Sequence, residues 1–373
     1  MRLHIAQNEK IINRCIANFE EVFPGENRWI ILYDNNGNGR DYIEDRKEVI
    51  KCKFDNDYFW KAVGDMNVYK KIIVHFLTPE SAKFIRCINH PEVYWIEWGA
   101  DLYNVLLQCK GYKLYSDEKI AVKYSQHPGY GVLYSVYREI ALRKKGRLYY
   151  AAAKKVKYFV PDSMYDEYPL LLKYYPGLKN LQYKEFFYYP INEVLGSDFD
   201  QCYTNGNNIM LGNSAAVTGN HFEVLDLLSK VPLGERSIIT PLSYGLKTYA
   251  NDVEKYGNTM FPNRFHALKE YMPLNDYNEV LRSANIFIYN NYRQEAVGNI
   301  LIALYLGGKV FLNKRNPLLR FYKSLGLKIY ELEELVSDAG FIPLNEFEIM
   351  NNRDILMRHY SRERQLELIK QNM

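Results

Sequence analysis

The sequence lacks several features that would place it in a large class of proteins. It has no apolar run of about 18 residues, and its first residues form no signal-peptide core, so we expect neither a transmembrane helix nor a leader. Its five cysteines have no close metal-ligand spacing, which is typical of reduced thiols in a cytosolic protein. No internal repeat or low-complexity tract stands out. We therefore expect a cytoplasmic protein with no metal site and no cofactor.

The composition is that of a folded protein with more than one core. The chain has 373 residues, of which 47% are hydrophobic and 25% are charged. This length is sufficient for two domains. The 34 tyrosines are the unusual feature, because amphipathic rings suit surfaces that contact sugars, lipids or partner proteins.

Residues 286–317 hold the clearest structural pattern in the chain. A β-branched and aromatic run is followed by a polar loop, an apolar helix rich in Ala, Ile and Leu, a glycine pair and a second apolar run. These segments are, in order, residues 286–289, 290–294, 296–306, 307–308 and 309–312. The pattern predicts one strand–helix–strand unit of a parallel sheet.

The polar loop of this unit suits a phosphate group. A helix N-terminus has unpaired N–H groups and a partial positive charge. Arg293 adds a cation that can pair with two phosphate oxygens, and Gln294 and Asn299 add directional donors. Gly298 allows close approach of the backbone to a ligand. The alternative is an ordinary turn with a solvated arginine.

Strands and helices also alternate in the first third of the chain. The apolar runs that predict strands are residues 3–6, 29–33, 49–53, 71–76 and 93–98, and helical spacing occurs at residues 10–19 and 79–88. This alternation favours a doubly wound parallel sheet. Such sheets bind ligands at the carboxyl ends of their strands.

Two titratable residues lie at predicted strand ends. Asp101 follows the strand at 93–98 and is a candidate general base, sugar-hydroxyl acceptor or helix cap. His75 ends the strand at 71–76 and is either a second candidate base or a buried core residue. Glu97 is a third candidate, although strand alternation can turn it to the other sheet face.

The segment from residue 138 to residue 157 is strongly basic. It has eight basic residues and one acid, a local charge of +7 against +4 for the whole chain. Tyrosines are interleaved with the cations, as suits an anionic membrane surface. We assign Arg143, Lys144, Lys145 and Arg147 to membrane or acceptor contact. Single-stranded nucleic acid is the competing partner, and a solvated helix face is the plain alternative.

The second half begins a new alternation of strands and helices. A strand at 208–211 is followed by Gly212, Asn213 and Ser214, small residues at a helix entrance that are compatible with phosphate or sugar. A long charged helix at 350–369 is expected to cross back to the first domain. We predict an N-terminal domain at 1–195, a C-terminal domain at 196–349, and residues 350–373 packed on the first.

Several short motifs, in this order and approximate spacing between about residue 70 and residue 317, resemble one enzyme family. They are Trp98-Gly99-Ala100-Asp101-Leu102-Tyr103, Gly212-Asn213-Ser214 with His221, residues 241–244, Arg293-Gln294 with Gly298, and Leu312-Asn313 with Asn316-Pro317. The family is that of the Fuc4NAc transferases of enterobacterial common antigen synthesis, glycosyltransferase family 56. Its members transfer 4-acetamido-4,6-dideoxygalactose from TDP to an undecaprenyl-diphosphate-linked disaccharide. The hexapeptide is the most specific of these motifs.

The resemblance implies a fold and a partner set. The fold is α/β with GT-B architecture, two Rossmann-like domains whose parallel sheets face each other across a cleft. The TDP-sugar is expected mainly on the C-terminal domain, with Tyr244 and Asn313 added to the donor-binding loops. The acceptor is a polyprenyl-diphosphate-linked saccharide in bacterial surface polysaccharide synthesis. The protein is then peripheral on the inner face of the cytoplasmic membrane and binds no nucleic acid.

Glycosyl transfer sets the chemical requirements of the site. The nucleoside diphosphate leaving group must be stabilised, and the acceptor hydroxyl must lose a proton. No Asp-x-Asp dyad is well placed for Mg²⁺, so helix N-termini and Arg293 are the expected electrophilic groups. Asp101 is the first candidate for the base and His75 the second.

Two other functions stay open at this point. One is a glycosyltransferase with a soluble acceptor, and the other is a non-catalytic binding protein on the same fold. Many GT-B enzymes carry a second acidic residue in the helix, near Ala303 in this chain, and none is present there. The identity of the donor sugar is therefore not fixed by the resemblance.

Overall fold

The computed structural model describes residues 1–33, 41–54, 57–124, 131–162, 166–196, 199–337 and 340–373. The chain forms two compact units. Unit 1 consists of Met1–Tyr112, Glu139–Tyr188 and Glu363–Met373. Unit 2 consists of Lys113–Arg138 and Tyr189–Arg362. The assignment of residues 113–138 to unit 2 had no signal in the sequence.

Unit 1 is built on a parallel sheet of seven strands. The strands are β1 (Arg2–Gln7), β2 (Asn27–Leu32), β3 (Val49–Cys52), β4 (Lys71–His75), β5 (Val93–Glu97), β6 (Tyr158–Pro161) and β7 (Gln182–Tyr183). Their order across the sheet is β3-β2-β1-β4-β5-β6-β7. The central strands β1, β4 and β5 are buried except at the ends of β1 and the start of β4, as expected for a sheet covered on both faces.

Unit 2 is built on a second parallel sheet, of six strands. The strands are β8 (Asn208–Leu211), β9 (Ile238–Pro241), β10 (Phe265–Leu268), β11 (Ala284–Tyr289), β12 (Lys309–Leu312) and β13 (Tyr330–Glu331). Their order is β10-β9-β8-β11-β12-β13. Its core is one cluster of buried Ile, Leu, Val, Phe and Tyr side chains.

Most of the helices connect successive strands of one sheet. In chain order they are α1 (Lys10–Val22), α2 (Tyr58–Val63), α3 (Pro79–Cys87), α4 (Glu118–Lys123), α5 (Gly131–Ala153), α6 (Glu167–Tyr174), α7 (Ile191–Leu195), α8 (His221–Leu228), α9 (Lys247–Met260), α10 (Leu274–Arg282), α11 (Val297–Tyr305), α12 (Pro317–Ser324), α13 (Glu346–Tyr360) and α14 (Arg362–Asn372). Within the described ranges, no helix is long and apolar enough to span a bilayer.

Both sheets have the strand order of a Rossmann fold, which positions their ligand sites. In each unit the chain winds outward from the first strand, returns, and winds outward in the other direction. The strand order therefore reverses between β1 and β4 in unit 1 and between β8 and β11 in unit 2. Open α/β sheets bind ligands beyond the carboxyl ends of the strands at such a switch point.

The predicted secondary structure is confirmed for most of the chain and wrong at one notable place. The strand–helix–strand unit at 286–312 appears as β11, α11 and β12. The long helix predicted at 350–369 is instead two helices, α13 and α14, because Ser361 is extended between them. The sequence analysis missed β7, β10 and β13, which are short or partly exposed and so carry weak periodicity.

Candidate functional site

The switch point of unit 2 brings together three of the predicted donor-binding segments. The Gly212 amide, directly after β8, donates to the Ile288 carbonyl of β11 at 2.8 Å. The Asn313 amide, directly after β12, donates to the Tyr289 carbonyl at 3.2 Å. The loop with Arg293 leaves β11 between these two strands. Neighbouring strand ends therefore place Gly212, Arg293 and Asn313 at one edge of the sheet.

Gly212 is required by both its backbone and its neighbour. Its φ is +70°, in the left-handed region that glycine adopts without strain. A Cβ atom at this position would lie 2.6 Å from Nε2 of His221. The absence of a side chain at Gly212 thus brings an imidazole nitrogen up against the loop after β8.

His221 was noted in the sequence only as part of a motif, and the structure makes it a candidate donor. It is fully buried at the start of α8, and burial lowers its pKa to about 4, so the ring is neutral at pH 7. Tyr249 Oη accepts from the His221 backbone N–H at 3.2 Å and lies 3.0 Å from Nδ1. The Tyr249 hydroxyl can donate to Nδ1 when the ring proton is on Nε2, and in that tautomer Nε2 is a donor. Nε2 has no hydrogen-bond partner among the described residues.

Arg293 is buried, so the alternative of a solvated arginine is wrong. The residue is 8% exposed, and its Nη2 lies 3.0 Å from the Glu295 carboxylate. Nη1 donates to the Gln294 carbonyl at 2.8 Å. Nε is buried and has no partner within the described part of the chain. The guanidinium is held at one end and retains a donor.

Glu295 is a residue of this site that sequence reasoning did not single out. Its carboxylate accepts from Thr218 Oγ1 and from Asn291 Nδ2, both at 2.8 Å, in addition to pairing with Arg293. Thr218 comes from the loop after β8, so Glu295 joins the two loops at the switch point. A carboxylate two residues from the predicted arginine was the available signal.

A network of asparagine amides lies beside the arginine. Asn313 Nδ2 donates to Asn290 Oδ1 at 2.7 Å, and Asn290 Nδ2 donates to Glu223 at 2.8 Å. Asn313 Oδ1 also accepts from the Arg315 amide at 2.9 Å. The Asn313 side chain therefore fixes the loop after β12.

The helix that follows Arg293 begins without a side-chain cap. Ala296 precedes α11 with φ of 63° and makes no capping hydrogen bond, an unusual conformation for a residue with a Cβ atom. The first-turn amides of α11 are therefore not capped by that side chain. Gly298 has a packing role, because an added Cβ would lie 3.1 Å from the ring of Tyr189. Asn299 is half-buried next to it.

The remaining donor candidates lie on the loops after β8 and β9. Ser214 is buried and Asn213 is half-buried. The Tyr244 side chain is 75% exposed, and its carbonyl accepts from the Ala215 amide at 2.6 Å. Gly245 follows with φ of +118°, and an added Cβ would lie 2.6 Å from the Ala215 backbone. This close contact leaves no room for a side chain at residue 245.

In unit 1, Asp101 has the bonds of a structural residue. It is 1% exposed, and Oδ2 accepts from the Leu77 amide at 2.8 Å and from the Trp95 indole at 2.7 Å. Oδ1 accepts from the Trp98 amide at 3.0 Å. Burial nevertheless raises its pKa, against the opposing effect of these donors. The carboxylate joins the ends of β4 and β5, and its role as a base stays a prediction.

His75 belongs to a buried chain of hydrogen bonds. Its Nε2 lies 3.0 Å from His4 Nδ1, and His4 Nε2 lies 3.3 Å from Asn27 Oδ1. Because Oδ1 accepts, His4 donates through Nε2 and accepts from His75, which leaves His75 Nδ1 to accept from the Tyr188 hydroxyl at 2.5 Å. Burial lowers the pKa of His75 to about 3. These bonds fit the core-residue alternative, and its role as a base stays a prediction.

Glu97 faces a second buried carboxyl that the sequence analysis did not anticipate. Glu97 and Glu167 are both fully buried, and Oε1 of Glu97 accepts from the Gly99 amide. Burial, and then the charge of Glu167, raises the pKa of Glu97 well above its usual range. Burial raises the pKa of Glu167 to about 8. The carboxyls of Glu97 and Glu167 are therefore protonated at neutral pH.

The basic residues assigned to the membrane lie on α5. Arg143, Lys144, Lys145 and Arg147 are all exposed. Arg143 pairs with Glu139 at 2.8 Å, an exposed contact of low stability. Lys145 lies 5.4 Å from the ring centroid of the buried Tyr149. At 100° per residue, Lys145 is on the opposite side of the helix from Arg143 and Arg147.

Comparison with known proteins identifies the family. The sequence profile described as 4-alpha-L-fucosyltransferase, glycosyl transferase group 56, matches residues 125–340, more than half of the chain. The chain belongs to this family. The expected resemblance is confirmed, and the protein is a glycosyltransferase.

Solved structures show the same fold at low sequence identity. HepE of Anabaena, in complex with UDP-glucose, has a TM-score of 0.63 at 10% identity, with 99% of this chain and 98% of that chain covered. Sucrose-phosphate synthase of Thermosynechococcus elongatus has a TM-score of 0.62 at 9% identity, covering 100% and 98%. A glycosyltransferase of Rickettsia africae has a TM-score of 0.56 at 10% identity, covering 100% and 99%. The predicted GT-B fold is confirmed.

Proposed function

We propose that this glycosyltransferase moves a deoxy-acetamido sugar of the Fuc4NAc type from a TDP-sugar to a polyprenyl-diphosphate-linked oligosaccharide. The reaction takes place at the membrane surface, on the cytoplasmic side, in the synthesis of a bacterial surface polysaccharide. The observation that carries the donor half of this proposal is the buried arginine at the switch point of unit 2. Family membership supports the sugar and the lipid-linked acceptor.

The donor diphosphate is held by groups that donate hydrogen bonds. Arg293 Nε is a buried donor without a partner among the described residues. His221 Nε2, at the same sheet edge and likewise without a partner there, is a second donor in the tautomer that carries its proton on Nε2. The first-turn amides of α11, the region of Gly298 and Asn299, add the partial charge of a helix N-terminus. Charge that develops on the leaving diphosphate is stabilised most by donors already fixed in place. Glu295 fixes the guanidinium.

The smaller donor candidates complete the proposed site. The loop that contacts His221 consists of Gly212, Asn213 and Ser214. Asn313 fixes the adjacent loop. The backbone carbonyl of Gln294 accepts from Arg293. The side-chain amide of Gln294 is not part of that hydrogen bond. Tyr244 offers an exposed aromatic ring, which suits stacking on the base or the sugar.

A panel of sugar nucleotides tests the donor assignment. Thermal unfolding is measured with TDP-, UDP- and GDP-linked sugars at equal concentration. A ligand at a hundred times its Kd adds about 2.7 kcal/mol to the free energy of unfolding, which shifts the midpoint measurably. We expect the largest shift with TDP-sugars. A larger shift with UDP- or GDP-sugars contradicts the assignment of the nucleotide.

The proposal of a lipid-linked acceptor is supported by helix α5. A lipid-linked acceptor keeps its chain in the bilayer, so the enzyme must meet the membrane surface. Arg143, Lys144 and Arg147 are exposed on this helix, together with the apolar side chains of Val136 and Ile140, which are 53% and 61% exposed. Each cation near an anionic surface contributes about 1 kcal/mol, and exposed apolar side chains add interfacial burial.

Vesicle co-sedimentation tests the membrane assignment. Replacing Arg143, Lys144, Lys145 and Arg147 with Ser is expected to abolish binding to phosphatidylglycerol vesicles at 0.1 M salt. Wild-type binding should itself fade as salt rises, because the Debye length falls from about 10 Å at 0.1 M to about 3 Å at 1 M. TDP affinity should survive the change, because the proposed donor site lies in unit 2. Equal sedimentation of variant and wild type favours a soluble acceptor instead.

A further inference from the structure

A cavity in unit 1 is lined by basic and aromatic side chains that the donor site does not use. Its volume is about 410 Å³, within the usual range for small-molecule sites. The lining residues come from the turn before Gly111, from α5, and from the end of α6 and the segment after it. They are Cys109, Lys110, Arg143, Gly146, Arg147, Tyr150, Tyr174, Tyr175, Pro176 and Gly177.

The cations of this cavity are available to an anion. Arg147 makes no hydrogen bond or ion pair within the described residues, and Lys110 Nζ lies 5.2 Å from the centroid of the Tyr175 ring. Arg143 pairs with Glu139 through Nε, which leaves its two terminal nitrogens. Three cations against one carboxylate leave a local charge of +2. That charge matches a diphosphate diester, which is a dianion.

The cavity is shaped by close packing at two glycines. A Cβ at Gly146 would lie 2.4 Å from Cys109 Sγ, and one at Gly177 would lie 2.3 Å from the Tyr150 hydroxyl. Tyr175 is fixed by donating to the Leu106 carbonyl at 2.7 Å, and its ring lies 5.1 Å from that of Tyr150. Fixed tyrosine faces beside cations suit a sugar ring joined to phosphate.

An exposed apolar side chain lies beside the cavity. Ile140 is 61% exposed, and its spacing of three and seven residues from Arg143 and Arg147 places all three on one face of α5. A ligand held in the cavity can therefore extend a hydrocarbon chain along this face. A nucleotide diphosphate would gain nothing from that side chain.

We propose that this cavity binds the diphosphate and the adjoining sugar of the polyprenyl-linked acceptor, with Lys110 and Arg147 as phosphate ligands. The assignment rests on the proposed acceptor and gives it a site. Arg143 orients the same phosphates, and the tyrosines contact the sugar. The lipid chain leaves past Ile140.

Binding of geranyl diphosphate, a soluble short-chain probe, tests the assignment. It is titrated calorimetrically with TDP at saturation, so that the donor site is occupied. Loss of one charge-assisted contact weakens binding about tenfold to a hundredfold. We expect that loss for Arg147→Ser and for Lys110→Ser. Arg86→Ser, which removes an exposed cation of unit 1 outside the cavity, should stay within twofold of wild type.

Further measurements test whether the cavity is specific for this ligand, and they test the donor assignment independently. Equal affinity of Arg147→Ser and Arg86→Ser for geranyl diphosphate overturns the proposal. So does wild-type binding to inorganic diphosphate as tight as to geranyl diphosphate. TDP affinity is measured separately and should be the same in all three variants. Failure of wild type to bind TDP contradicts the proposed donor, whatever geranyl diphosphate does.

Discussion

The two sheets share a strand order but differ in the chemistry at the carboxyl ends of their strands. In unit 1, the strand ends hold buried acids and a neutral histidine, namely Asp101, Glu97 and His75. In unit 2, the strand ends hold Arg293, amide side chains and a glycine. Nε of Arg293 is a donor without a partner among the described residues. Topology determines where a ligand meets each sheet, and the residues after each strand decide which ligand it is. The donor-rich edge suits a diphosphate, and the acid-rich edge suits chemistry that moves a proton.

The largest expected effect distinguishes the two roles of Asp101. Asp101→Asn should lower kcat about 10²–10⁴-fold with TDP affinity near wild type, because loss of a general base leaves the donor site intact. The structural role instead predicts a lower thermal midpoint, since an amide NH₂ would face backbone N–H groups. Turnover within threefold of wild type removes Asp101 as the base, and His75→Ala is then the next variant.

A smaller effect is expected at the donor-rich edge. Arg293→Ala should weaken TDP and TDP-sugar together, by about 1.5–3 kcal/mol, because it removes one charge-assisted phosphate contact. Isothermal titration measures this directly. Arg282→Ala is the matched control, since Arg282 pairs with Glu279 on α10, outside the site. TDP affinity of Arg293→Ala within twofold of the control would make Arg293 a structural residue.

The smallest effect concerns the acids of unit 1 and depends on pH. The pKa of Glu167 is raised from 4.5 to about 8, so its contribution to stability is full below pH 4.5 and is lost as pH rises through 8. The pKa of His75 is lowered from 6.5 to about 3, so its contribution is full above pH 6.5 and is lost as pH falls. Between pH 6.5 and 8 only the carboxyl contribution changes.

Urea unfolding across that window measures the carboxyl contribution. From pH 6.5 to 8, Glu167 by itself should lower the free energy of unfolding by up to about 1.4 kcal/mol per pH unit. Glu167→Gln should reduce the wild-type slope, and Glu363→Gln, an exposed glutamate of unit 1, should leave it unchanged. A slope in Glu167→Gln equal to that of wild type would contradict the shared burial of Glu97 and Glu167.

The sequence predicted the frame of the fold better than the chemistry of its edges. β11, α11 and β12 were found because apolar periodicity and the Gly307-Gly308 stop are local signals. The break at Ser361 was missed, because the charged pattern continues through it. The bonds of Asp101 were missed because its partners include Leu77, which tertiary structure brings close. Glu295 was missed for the same reason, since Thr218 is far away in sequence.

Hydrogen–deuterium exchange with and without TDP tests the central claim most directly, namely that the donor diphosphate is held at the switch point of unit 2. We predict slower exchange on TDP addition at residues 212–215 and 293–299, whose amides border the proposed diphosphate site. Residues 97–103, at the acid-rich edge of unit 1, should exchange at their original rates. Protection confined to residues 97–103, with no change at residues 293–299, would contradict the account.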